Sequence, residues 1–157
     1  MRGGVGDRLK ELGYELPSLP NSAGSYVPAT STGSLLFTAG QLPFKEGQLR
    51  YAGKVDKDVS VEEAKEAARL CALNALAAVE AEAGSLENVR RVVKVTGYVA
   101  STAGFNRQPE VINGASDLLG EVFGKTGAHA RSAVGVAELP LDAPVEVELI
   151  VELTMSG

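Results

Sequence analysis

Residues 145–153 read "VEVELIVEL", in which Val145, Val147, Leu149, Val151 and Leu153 alternate with Glu146, Glu148, Ile150 and Glu152. Successive side chains of a strand point to opposite faces, so this pattern predicts one buried face and one that keeps three acids. A parallel sheet buried on both faces would instead need a continuous apolar run. The chain must therefore build a sheet covered on one side only.

Two segments offer the cover. In "SVEEAKEAARLCALNALAAVEAEAG", residues 60–84, Ala64, Ala68, Cys71, Ala75 and Val79 recur at helical spacing, while Glu62, Lys65, Glu66 and Arg69 lie toward water. Ser60 and Glu63 have capping-box spacing, and Gly84 suits the stop. A second helix runs from about Pro109 to Phe123, although Gly114 and Gly120 are poor helix formers. Strands are predicted in "SYVPAT", "LLFTAGQL", 89–100, 131–139 and 145–153, with "STGS" as a hairpin turn and "PLDAP" joining the last two. The order is β-β-(β)-α-β-α-β-β, an α+β fold with one mixed sheet and two helices on one face. Residues 1–24, with a short helix over 5–12 ended by Gly13, form an added arm, and 25–157 form the domain.

Composition removes several function classes. The net charge of −5 is dispersed, no Lys/Arg stripe is present, and there is no tryptophan, so a nucleic-acid partner is not expected. No apolar run reaches the roughly 20 residues of a membrane span, and the start lacks a secretory segment. A cytoplasmic protein with no membrane partner is expected. The single cysteine, Cys71, reads as a buried structural thiol. No metal-ligand spacing and no nucleotide-cradling glycine motif occurs, so neither metal nor cofactor is expected.

The strand preceding the acidic one, in "HARSAVGVAELP", raises a question of phase. Val134 and Val136 are its larger apolar residues and are expected on the covered face, leaving Arg131, Ala133, Gly135 and Ala137 on the bare one with Glu146. If residues 131–139 and 145–153 pair across a four-residue turn, Glu146 falls opposite Ala137, on the order of 20 Å from Arg131 along the strand. A small ligand could then touch both only if two subunits contribute, as in a closed ring with bare sheet faces turned inward.

The run "ARSAVGVAELPLDAPVEVELIVEL", together with "LLFTAGQLP" at 35–43, resembles the signature of the RidA/YjgF family, and the resemblance extends from about Ser25 to Leu153. It implies a chorismate-mutase-like fold assembled as a homotrimer with clefts between subunits. It also implies hydrolysis of reactive enamines and imines derived from amino acids, such as 2-aminoacrylate, to 2-keto acids and ammonia, without a cofactor. By the same resemblance, Arg131 corresponds to the arginine that grips the substrate carboxylate and Glu146 to the acid that holds or activates water. Tyr26, Gly40 and Asn113 correspond to substrate-binding positions. Ala133 stands where many members carry a cysteine, whose backbone carbonyl can still accept a hydrogen bond. The loop before Asn113 and the N-terminal arm are longer than is usual in the family.

Chemically these types suit the reaction. A guanidinium fork matches a carboxylate, and a protonated imine needs only a placed water and a group to take its proton. Without the resemblance, Arg131 reads sooner as an interfacial ion-pair partner and Glu146 as one acid of a solvated face. Tyr26 and Asn113 then read as surface or capping residues and Gly40 as a turn. His129 shares the phase of Arg131 and reads as an exposed loop residue at the rim. A non-catalytic carboxylate-metabolite binder is the alternative function, with endoribonuclease or translation inhibitor further behind.

Overall fold

The computed structural model describes residues 3–19 and 24–155. In chain order the elements are α1 (Val5–Glu11), β1 (Ala29–Thr32), β2 (Leu35–Thr38), β3 (Phe44–Lys45), β4 (Gln48–Leu49), α2 (Val61–Ala83), β5 (Val89–Ala100), α3 (Gln108–Phe123), β6 (Ala130–Val136) and β7 (Val145–Leu153). Five strands form one mixed sheet in the order β1-β2-β7-β5-β6, and β3 and β4 form a separate two-stranded hairpin. β5 and β6 are parallel, joined by α3 as a crossover, and the other neighbouring pairs are antiparallel. The expected one-sided α+β architecture is present.

The acidic strand β7 sits at the centre of the sheet, and its alternation is obeyed from Val145 to Glu152. Val145, Val147, Leu149 and Val151 are fully or almost fully buried beneath the helices, while Glu146, Glu148, Ile150 and Glu152 keep partial exposure. α2 begins at the predicted capping box, with Ser60 Oγ accepting from the Glu63 amide and Glu63 Oε1 accepting from the Ser60 amide. Its alanines bring it down onto the sheet, and Cys71 is buried among them with Sγ 3.5 Å from the carbonyl of Val145. Burial, with the nearby Glu146 charge as a second cause, pushes the Cys71 thiol well above its usual range. That thiol is structural.

Two glycines set the spacing of the layers. A Cβ on Gly97 would stand 2.8 Å from Cγ2 of Ile112, so the glycine lets α3 approach β5. A Cβ on Gly114 would collide with the backbone carbonyl of Lys65, 2.8 Å from its carbon. The residue that weakens α3 as a helix is thus what allows α3 to lie against α2. The core closes around Leu36, Leu76, Ile112, Leu118, Leu119 and Leu149, each contributing on the order of 1.5–3 kcal/mol by leaving water. α1 docks outside this layer: Leu9 is buried, Arg8 Nε donates to the carbonyl of Glu121 on α3, and the Arg69 guanidinium lies 4.8 Å over the Tyr14 ring.

Two expectations fail in β6. First, β6 and β7 do not pair; β5 lies between them, and β6 is an edge strand. Second, its phase is the reverse of that expected. Arg131, Ala133 and Gly135 stand opposite Val95, Gly97 and Val99, which face the helices, whereas Val134 stands opposite Tyr98 on the bare face and is 43% exposed. α3 limits the space over this row: Ala133 packs against the core, and a Cβ on Gly135, itself exposed, would lie 2.8 Å from Nε2 of Gln108 on α3. Size misled because α3 already fills that space.

Candidate active site

Gly40 and Glu146 are brought together by an irregularity in β2. Phe37 pairs with Ile150, yet the next bridge joins Gln41 to Val147, so three residues on the first strand face two on β7. This is a bulge, a device that re-aims side chains. Within it the Leu149 amide donates to the Thr38 hydroxyl at 2.9 Å, replacing a lost ladder bond. Gly40 is thereby laid against Glu146, so closely that a Cβ at this position would lie 2.8 Å from the carboxyl carbon. The segment is held from behind by Asn74, a buried side chain on α2 whose amide nitrogen is 2.9–3.0 Å from the carbonyls of Leu42, Phe44 and Leu70.

On the bare face Glu146 pairs across the ladder with Tyr98, and Glu148 with Thr96. The Tyr98 phenol donates to Glu148 Oε1 at 2.6 Å; this bond, ahead of burial, pushes the phenol's pKa up to about 12. The two carboxyls therefore differ. Glu148 holds a donor, while Glu146 is half-buried, and its pKa is raised by desolvation first and by the Glu148 charge second. A carboxyl whose pKa is raised by burial is the better proton acceptor of an acid–base step. Phe37, Val134 and Ile150 supply the apolar part of the same face. Tyr26 is 54% exposed, just before the point where the Ala39 amide donates to the Pro28 carbonyl.

Arg131 is elsewhere. It lies on the helix side of β6, where Nη1 donates to Asn113 Oδ1 at 2.7 Å and to Ser116 Oγ at 3.2 Å. Asn113 is in the second turn of α3. Arg131 thus meets Asn113 but not Glu146, and the expectation that Arg131 and Glu146 share the bare face is overturned. Counting through Val95 and Leu149, the two are separated by two inter-strand spacings and three residues, roughly 14 Å in the plane of the sheet, and they stand on opposite faces. Ala133 is partly buried beside Arg131 on the same strand and packs against the core. Among the described residues no carboxylate lies within ion-pair distance of Arg131.

Clefts of about 790 Å3 and 520 Å3 flank α1 on the outer side of the helices, and no candidate residue lines either. Among the described residues no three His, Cys, Asp or Glu side chains cluster closely enough to hold a metal, and no helix is long and apolar enough to cross a membrane. Tyr98 joins Glu148 on the bare face and Ser116 and His129 join Arg131 on the helix side, although the sequence motif assigns none of them a role. The signal for Tyr98 is a lone phenol in a valine-rich strand, but its partner emerges only from the register.

A one-sided mixed sheet with acids on its bare face, a bulged glycine against one of them and an arginine on the edge strand defines a chorismate-mutase-like architecture. Residues 6–153 match the family described as "YjgF/chorismate mutase-like, putative endoribonuclease", and the chain belongs to this YjgF/RidA family. It is 43% identical over 152 residues to Protein TCP17 of Trypanosoma cruzi, covering 96% of this chain and 95% of that one. It is 31% identical over 135 residues to the 2-iminobutanoate/2-iminopropanoate deaminase of Dermatophagoides farinae, covering 86% and 91%. Among solved structures it resembles Atu1372 of Agrobacterium tumefaciens, a protein of unknown function, with TM-score 0.89, 49% identity and coverage of 96% and 92%. Escherichia coli TdcF with bound serine superposes with TM-score 0.65 at 25% identity, covering 87% and 94%.

Proposed function

We propose that this protein hydrolyses enamines and imines derived from amino acids to 2-keto acids and ammonia, at sites completed between subunits of a homotrimer. The observation that carries the reading is the half-buried Glu146 carboxyl, laid against Gly40 and, among the described residues, without the donor that its neighbour Glu148 has. Membership in a family with a named 2-iminobutanoate/2-iminopropanoate deaminase, and a relative crystallised with the amino acid serine, support the same substrate class. The separation of Arg131 from Glu146 within one chain is the reason a second copy enters the proposal. The apolar residues Phe37, Val134 and Ile150 give the bare face something to bury in that assembly.

In this mechanism Arg131 of one subunit binds the substrate carboxylate and Asn113 steadies the guanidinium. An enamine first takes a proton at its terminal carbon to become the iminium. Glu146 of the neighbouring subunit accepts a proton from water as the water oxygen bonds to the iminium carbon. The resulting carbinolamine then collapses: Glu146 returns its proton to the nitrogen, the carbon–nitrogen bond breaks as the carbonyl forms, and the departing ammonia takes up the hydroxyl proton. Iminium and water give keto acid and ammonium, and the carboxylate is regenerated. Tyr26 and Gly40 shape the pocket, no cofactor takes part, and the setting is the cytoplasm.

The test generates an imine from an amino acid with an oxidase and follows 2-keto acid release. Wild type accelerates release, Glu146→Gln abolishes the acceleration while retaining affinity for a keto acid, and Arg131→Ala loses that affinity. Absence of acceleration over several amino acids, with keto-acid binding intact, would leave a carboxylate-binding protein instead.

A further inference from the structure

The Arg131 guanidinium is not simply near α3; its hydrogens are assigned. His129 Nδ1 is 2.6 Å from the carbonyl oxygen of Gly127, and a carbonyl can only accept, so Nδ1 carries the hydrogen. In the neutral ring Nε2 is then a lone pair, and the Ser116 hydroxyl, 2.9 Å away, must donate to it. The oxygen of Ser116 is left with its lone pairs toward Arg131, where it accepts from Nη1. Nη1 has two hydrogens, and the other goes to Asn113 Oδ1. Both are committed. What Arg131 can offer a ligand is therefore Nε–H and Nη2, the side-on fork whose parallel donors match the two oxygens of a carboxylate.

We propose that His129, acting through Ser116, is a positioning residue that holds Arg131 with its Nε–Nη2 edge presented, so that a substrate carboxylate binds side-on and in one orientation. The inference rests on the reading of Arg131 as the carboxylate anchor. It adds a relay of two residues that do not touch substrate. Its mark is selectivity for planar carboxylates at the binding step, with the chemical step left to Glu146.

Histidine occurs once in this chain, so a ring-nitrogen 15N spectrum reports His129 alone. At mildly alkaline pH the full-length protein is expected to show the Nδ1–H tautomer, with the Nε2 signal moving in Ser116→Ala. Pyruvate, titrated as the probe, is expected to shift the Arg131 Nε–H resonance in wild type. Ser116→Ala should raise the pyruvate Kd and the KM for the imine by roughly tenfold with kcat nearly unchanged. Ser116→Thr, which keeps the hydroxyl, should restore both. His129→Phe should move KM the same way, and His129→Gln, whose side-chain oxygen reproduces the acceptor, should recover it. If wild type binds pyruvate through Arg131 but Ser116→Ala and His129→Phe bind it equally well, the relay is refuted while the anchor stands. If Arg131 Nε–H does not respond in wild type, the anchor and the relay fall together.

Discussion

Replacing Gly40 by alanine tests the chemistry with a single methyl group. The backbone at Gly40 is outside the left-handed region, so alanine is conformationally acceptable there. The new Cβ would lie 2.8 Å from the carboxyl carbon of Glu146 and 3.0 Å from its Cγ. Ordinary carbon contacts begin near 3.5–4.0 Å, so the carboxyl must retreat by roughly 0.7–1.2 Å. A misplacement of about 1 Å at a reacting group costs about a hundredfold in rate, or about 2.7 kcal/mol of transition-state stabilisation. Glu146 is only half-buried, and its flexible side chain can swing away, so the fold should survive with little change in Tm. The assay pairs keto-acid release with a thermal melt. The expected result is kcat down about a hundredfold, pyruvate affinity within about threefold and a near-native melt. A Gly40→Ala protein that folds and turns over within about threefold of wild type would refute the placement of the proton-accepting carboxyl at this contact.

Glu148→Gln removes the charge that is the second cause of the raised Glu146 pKa, so the rate profile, which needs ionised Glu146, should extend to lower pH; an unmoved acidic limb would deny the coupling. Glu146→Gln should stabilise the protein at neutral pH while abolishing turnover. The sign follows from a folded pKa raised above the unfolded one: stability is fully present below the ordinary carboxylate pKa and is lost as pH rises through the raised value. Melts of both proteins across that interval should therefore converge on the acidic side. Gly114→Ala forces a methyl into the Lys65 carbonyl and should cost about 1–3 kcal/mol or more, read as a Tm lowered by several degrees. Asn74→Leu orphans the carbonyls of Leu42 and Phe44, which should cost about 2–4 kcal/mol in denaturant melts and lower activity through the Gly40 segment.

Much of the fold was legible because three segments are strongly patterned. The alternation of 145–153, the valines of 89–100 and the Ser60–Glu63 box each lead to an element with nearly the expected limits. β6 was not legible in the same way. Its phase is set by pairing with β5, and Gly97, the one residue without a side chain in that strand, is the clue that α3 comes down over the neighbouring small residues. A rule that sends the larger side chains inward fails at an edge strand whose inner face is already occupied. The short segment "TAG" also hides its bulge, since nothing in three residues states that they oppose two on β7. Gly40 and Glu146 could be named from the family motif; the distinction between Glu146 and Glu148 required the Tyr98 bond, which depends on a register between strands some 50 residues apart.

The extra residue between Phe37 and Gln41 also constrains how this protein can change. Deleting one residue there would let the pairing run regularly up to Gln41 and Val147 and remove the kink that lays Gly40 against Glu146. An insertion in the Gly33 hairpin, at the outer rim, would disturb neither. Chain length is thus fixed at one short place and free a few residues away, and a homologue that shares the motif but not that count should not hold its glycine against the acid.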